Sequence, residues 1–356
     1  MKIKLPYLFL VLALGMSSAL ADNLFVTVNV EGAILEYNTA IGASSQSLFA
    51  SDIYGDSLLG LAVDTGGNIF ASVVNSTSGY GFIYKFTPDG TQSTWASGLD
   101  PNCLVFDPGG NLFAPGSTYS GAKVIYEFTP GGSRTTFDNG LGGVDGVFDA
   151  ETNLFIATGG LGSIYKLTPG GGTSVFASGF RSAYGLAFDR QGNLFMSDFM
   201  AGTVYKFTSS GGVLSSTPAI FATGFNSPRG LAFDSAGNLF MVDQNAYLIY
   251  EFTNSGGVLS ANATVFASLD GSGYPAYLAI APAAPPPPSL SIALAGSKAV
   301  VLTWPDTGSY TVQTNGDLSS ANWMPDGAPV TMAGGTNRLS LTLPASGNLF
   351  FRLSSP

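Results

Sequence analysis

The sequence predicts an all-β protein: a six-bladed β-propeller over residues 22–282, closed by strands from both ends, and a small β-sandwich over 289–356. Three observations predict it. A motif recurs every 40 to 45 residues, each copy holds four short runs of alternating apolar and polar residues, and a proline-rich stretch ends the array.

The first marker is an apolar-Asp pair followed by Asn-apolar-Phe. Its copies carry Asp64 with Asn68 and Phe70, Asp107 with Asn111 and Phe113, and Asp149 with Asn153 and Phe155. Asp189 with Asn193 and Phe195, and Asp234 with Asn238 and Phe240, complete the set. A second marker keeps the same period: Tyr84, Tyr126, Tyr165, Tyr205 and Tyr250, each followed by Lys or Glu. In the fifth copy the four runs are 230–233, 239–243, 248–253 and 264–268. The Asp-x-x-Gly-Asn links read as tight hairpin turns, because Asp accepts backbone N–H bonds and Gly and Asn tolerate positive φ. Residues 24–28, 34–37 and 47–50 supply three strands with no leading one, and 275–281 supplies a leading strand alone. Three and one complete a sixth blade and hide two open sheet edges.

Composition bounds the rest. The chain has 356 residues, a net charge of −10 and only 10% charged residues. So few cations argue against a nucleic-acid partner, since neutralising phosphate needs clustered Lys and Arg. There is no histidine, which excludes Ser-His-Asp and Cys-His chemistry and His-ligated zinc. Residues 1–21 read as a secretory signal, with Lys2 and Lys4, the apolar run 8–14 and Ala19-Leu20-Ala21 before Asp22. The protein is therefore expected in the periplasm or outside the cell, with no membrane span, as a monomer. Cys103 is the single cysteine, so no intramolecular disulfide forms, and a buried inert thiol is expected. Residues 283–288 form a stiff linker, and Trp304 and Trp323 supply the bulk of a thin C-terminal core.

The repeats, for example Pro228-Arg229-Gly230-Leu231-Ala232-Phe233-Asp234, resemble NHL repeats and those of the SMP-30/gluconolactonase group. Leu302-Thr303-Trp304-Pro305, Tyr310-Thr311-Val312-Gln313 and Phe350-Phe351-Arg352-Leu353 resemble a fibronectin-III-like module.

Counting five places before each repeat Asp puts Leu59, Asn102, Val144, Tyr184 and Arg229 at the channel, with Ala276 or Tyr277 from the closing strand. Asp145 is offset by one. A mouth of Asn102, Asp145, Tyr184, Arg229 and Tyr277 suits a small polar ligand or a cation. The gluconolactonase resemblance implies an axial divalent cation, such as calcium, held by Glu, Asn and Asp and used for lactone or ester hydrolysis. Pro101-Asn102 is similar to the segment carrying the Asn ligand, with Cys103 in place of Gly. Val144-Asp145-Gly146 is similar to the segment carrying the Asp, there both ligand and catalytic base. Leu58-Leu59-Gly60 departs from the pattern, because the Glu is missing. The amidating and streptogramin lyases that share the fold depend on histidine and are excluded. Asp198 and Asp243 read as inter-blade hydrogen-bond acceptors. Lys85, Glu127, Lys166, Lys206 and Glu251 read as a solvated face with ion pairs between blades. The first expectation is a secreted, non-catalytic propeller that binds a protein, glycan or small polar ligand and needs no cofactor. The alternative is the metal-dependent hydrolase.

Overall fold

The computed structural model describes residues 22–28, 32–51, 53, 57–74, 81–118, 120–269 and 273–281. In the C-terminal part it describes 290–294, 299–305, 311–315, 324–325, 327–333, 336–342 and 350–354. The leader expected over 1–21, the linker expected over 283–288 and Trp323 lie outside the described residues. The chain divides into two compact units, 1–283 and 284–356.

In the larger unit each repeat forms four antiparallel strands. The third repeat is the simplest, with Asp145–Phe148, Leu154–Ala157, Ser163–Leu167 and Thr173–Ser178 hydrogen-bonded in chain order. The fourth (Ala183–Phe188, Leu194–Asp198, Thr203–Phe207, Ala219–Thr223) and the fifth (Pro228–Phe233, Leu239–Asp243, Leu248–Ser255, Val258–Ser268) repeat this order. The first and second share one eight-stranded sheet. The long strand Gln92–Pro101 runs on to pair Asp100 with Ser117 and Pro101 with Gly116 in Leu112–Ser117. Pro275–Ala281 pairs antiparallel with Asn23–Val28, placing Leu278 opposite Val26, and Ala33–Asn38 and Ser47–Ala50 follow in the same sheet. Strands from the two ends of this unit thus lie side by side, as the sequence leads one to expect.

The Asp-x-x-Gly-Asn links are hairpin turns built on the side chains. In all five, the Asp Oδ1 accepts the Asn backbone N–H and Oδ2 accepts the Asn side-chain amide, at 2.7–2.9 Å. Four turns put glycine at the left-handed position, but the third puts Thr152 there, at φ 62°. A β-branched residue is strained in that region. Thr152→Gly is expected to raise stability by about 0.5–1 kcal/mol, read as a higher denaturant midpoint with an unchanged slope.

An aromatic pair recurs in all six four-strand units. Phe25, Phe70, Phe113, Phe155, Phe195 and Phe240 on second strands meet Phe49, Trp95, Phe137, Phe176, Phe221 and Phe266 on fourth strands, with centroids 5.0–5.3 Å apart. In every unit the ladder between third and fourth strands shifts register at the fourth-strand aromatic, for example between Tyr165↔Val175 and Ile164↔Ala177 around Phe176. The extra residue of the bulge frees the ring to turn onto the second-strand Phe. That Phe also meets the first strand of the next unit edge-on, as in Phe70–Phe106, Phe113–Phe148, Phe155–Phe188 and Phe195–Phe233. One buried ring thus ties its own sheet together and joins it to the next.

Two expectations need correction. Lys85, Lys166 and Lys206 do not make ion pairs between repeats; each lies over a second-strand Phe, at 5.5, 5.5 and 5.2 Å from the centroid. The cause is register, because these lysines sit directly opposite Phe70, Phe155 and Phe195. Among the described residues the one ion pair, Lys166 to Asp149 at 4.0 Å, stays within a repeat. Asp198 and Asp243 are hydrogen-bond acceptors, but within their own repeats. Asp198 holds the N–H groups of Arg181 and Ser182, and Asp243 those of Asn226 and Ser227, fixing the loop that enters the first strand.

The C-terminal unit has a four-stranded sheet (Ser291–Leu294, Ala299–Pro305, Thr336–Thr342, Thr331–Ala333) and a three-stranded one (Met324–Pro325, Thr311–Asn315, Phe350–Ser354). Trp304, Leu302, Val312 and Leu339, drawn from both, form its buried core.

Candidate functional site

The first strands of all six units converge. Residues 60–63, 103–106, 145–147, 186, 230–231 and 277–280 line one central cavity of about 320 Å³. Next to it the ladder between first and second strands skips, between Leu58 and Leu61, Ala183 and Leu186, and Pro228 and Leu231. These skips leave two residues of each strand out of regular pairing.

The five residues expected at a common mouth are brought together, but in two layers. Asn102, Tyr184 and Arg229 stand five places before their repeat Asp, in the outer layer. Asp145 stands four places before its Asp, level with Gly60, Cys103, Gly185 and Gly230. Tyr277 shares this inner layer, because Leu278 pairs with Val26 as Leu186 pairs with Met196. The inner layer thus holds three positions without a side chain, Gly60, Gly185 and Gly230, and three with one, Cys103, Asp145 and Tyr277. Glycine is required at 185, where a Cβ would lie 2.1 Å from the Arg229 carbonyl oxygen. The Gly185 N–H donates to Ser197 Oγ at 2.8 Å, and that hydroxyl donates to the Arg229 carbonyl at 2.6 Å, joining two repeats.

These side chains bond to backbone groups or stack on one another, and the Arg229 Nε is buried without a hydrogen-bond partner. Tyr277, from the closing strand, donates its hydroxyl hydrogen to the Val144 carbonyl of the third repeat. Arg229 lies between two rings, 4.9 Å from the centroid of Tyr184 and 5.2 Å from that of Tyr277. Asn102 donates its amide to the Gly143 carbonyl at 3.1 Å. Asp145 accepts from the Gly146 N–H through Oδ1 and from the Leu186 N–H through Oδ2, each at 2.9 Å. Burial pushes the Asp145 carboxyl up to about 7, against the pull of these two N–H groups and of Arg229. Burial, then the nearby Asp145 charge, pushes the Cys103 thiol well up, and burial likewise raises the Tyr277 hydroxyl. Cys103 is 1% exposed, so it is the inert thiol expected, although its place beside Asp145 was not foreseen. The run Gly60, Cys103, Asp145, Gly185, Gly230 at one fixed offset was the signal for the inner layer.

The donor set is poor for a divalent cation. Asn102 and Asp145 are not bonded to each other, both Asp145 oxygens are engaged, and the Arg229 charge opposes a second cation. Among the described residues no three Cys, Asp or Glu side chains converge on a metal position. The arrangement braces the centre of the larger unit and offers one carboxyl whose pKa burial raises, with no activated nucleophile beside it among the described residues.

The sequence matches no protein-family model and no curated protein. In structure it is similar to a streptogramin B lyase at 14% identity, covering 72% of this chain and 82% of that one, with a TM-score of 0.51. It is also similar to a protein of unknown function from Bacteroides caccae at 13% identity, covering 73% and 98%, with a TM-score of 0.54. The larger unit is a β-propeller. At such identities the likeness is one of fold alone, and a propeller fold hosts many unrelated functions. No helix among the described residues is long and apolar enough to cross a membrane.

Proposed function

We propose that this chain is an exported, non-catalytic binding protein, a six-bladed propeller closed by Pro275–Ala281 against Asn23–Val28. Its fibronectin-III-like C-terminal sandwich serves as spacer or attachment module. The observation that carries the reading is the mutual commitment of the axial side chains. Tyr277, Asn102 and Asp145 bond to backbone groups, and Arg229, its buried Nε without a hydrogen-bond partner, stacks between the Tyr184 and Tyr277 rings; this braces a scaffold and sets no nucleophile beside a base. The loops beside this layer carry the contact surface. Leu161 and Met200, on the turns after second strands of neighbouring repeats, are 81% and 65% exposed, and Tyr274 precedes the closing strand. Apolar tips around a polar centre suit a protein, glycan or small polar ligand.

The purified protein is expected to hydrolyse no lactone or ester with calcium or zinc present, and neither ion is expected to move its melting temperature at millimolar concentration. A calcium-dependent rise that Asp145→Ala abolishes, together with turnover, would restore the metal-dependent hydrolase.

A further inference from the structure

The outer layer of the channel mouth carries one charge, and that charge has no partner. Of its six positions, Leu59, Asn102, Val144, Tyr184, Arg229 and Ala276, only Arg229 is charged. Its guanidinium lies 4.9 Å from the Tyr184 centroid and 5.2 Å from that of Tyr277, and it makes no hydrogen bond or ion pair with any described residue. The Nε is buried. The terminal nitrogens, equally without a protein acceptor, are not buried, so they open to the solvent of the mouth. Arg134 and Arg190, on the exposed surface, do reach acceptors, the carbonyls of Ser97 and Ser235. A half-buried guanidinium with none of its five donors met is held by ring faces alone.

The nearby carboxylates do not answer it. Asp145, a layer deeper, is beyond ion-pair distance, and burial outweighs the Arg229 charge in setting its proton affinity. Asp198 and Asp243 are buried, and their oxygens take the N–H groups of the entering loops. What the mouth lacks is therefore an anion. One guanidinium, with no second Lys or Arg in its layer, matches a single planar charge, since a carboxylate takes paired N–H groups side by side and phosphate sites cluster several cations. Beside Arg229, the Tyr184 ring pairs with Phe199 at 5.0 Å, and the neighbouring Met200 is exposed. We propose that Arg229 anchors a small monocarboxylate at the channel mouth, with the carboxylate on its terminal nitrogens and an apolar body against Tyr184 and Phe199. The proposal rests on the binding function inferred above: turnover of an ester or lactone would sink that function, whereas failure of the test below would sink only this ligand class.

The test is calorimetry on the full chain with benzoate as probe, which stays ionised from pH 6 to pH 8. At pH 6 binding in the millimolar range or tighter is expected, about tenfold weaker for neutral benzamide and in Arg229→Gln, since a charge-assisted bond is lost each time. Inorganic phosphate is expected to bind more weakly than benzoate. A second readout needs only the wild type. An anion on Arg229 offsets its pull on Asp145, so the bound protein keeps the Asp145 proton to higher pH. Benzoate affinity should then fall about two- to fivefold from pH 6 to pH 8, and stay level in Asp145→Asn. Cys103 and Tyr277, the other groups facing Asp145, stay protonated over this range because burial raises both. Should Arg229→Gln fail to fold, the benzamide and pH comparisons decide. Absence of wild-type binding at about 10 mM benzoate would overturn the proposal. So would equal binding of benzamide, tighter binding of phosphate, binding unchanged in Arg229→Gln, or an affinity that does not fall with pH.

Discussion

Raising the pH from 5 to 8 is expected to cost the folded protein up to about 3 kcal/mol through Asp145, and Asp145→Asn to remove that dependence. The folded carboxyl titrates at about 7 against an ordinary value of 3.8. Between those values the folded chain holds a proton that the unfolded chain has released. Stability therefore falls as pH climbs through this window and levels off above it. The asparagine variant keeps one oxygen for the two N–H groups of Gly146 and Leu186, and the one left unmet costs about 1–3 kcal/mol at pH 5. The gap between variant and wild type should then narrow or reverse by pH 8. Parallel curves of unfolding free energy against pH for the two proteins would show that Asp145 is not the buried acid described.

Phe195→Ala is expected to lower stability by about 3–5 kcal/mol, the range for removing a fully buried ring. Phe195 is 0% exposed and meets Phe221 in its own sheet, Phe233 in the next repeat and the Lys206 ammonium. Loss of the ring should loosen two sheets at once and reduce cooperativity as well as the midpoint of chemical denaturation. A loss below about 1.5 kcal/mol, the usual scale of a tolerated core exchange, would mean the repeats are held by something other than these rings.

Much of this architecture could be read from the chain. The repeat Asp and Asn fixed the hairpins because their side chains build the turn, so sequence and geometry are directly coupled there. The leading strand 275–281 could be assigned because the first copy lacked one. The depth of the central residues could not, because alternation loses phase at a bulge: Asp145 looked like a neighbour of Asn102 in one rim, whereas it lies a layer deeper with Cys103 and Tyr277. The inward turn of Trp95 and its five Phe counterparts was hidden for the same reason. The lysines misled differently, since a strand pattern gives their face but not the ring opposite them.

The pairing of Leu24 with Ile280 has a consequence for assembly. Some 250 residues separate these partners, so the seam is the contact of greatest sequence separation in the larger unit and the most demanding in chain entropy. Until it forms, one sheet stays incomplete, and with a lone cysteine no covalent clasp can hold the ends near each other meanwhile. Nascent chains arrested before residue 275 should behave as sticky, protease-sensitive species, and a late, slow phase should mark the moment the seam zips.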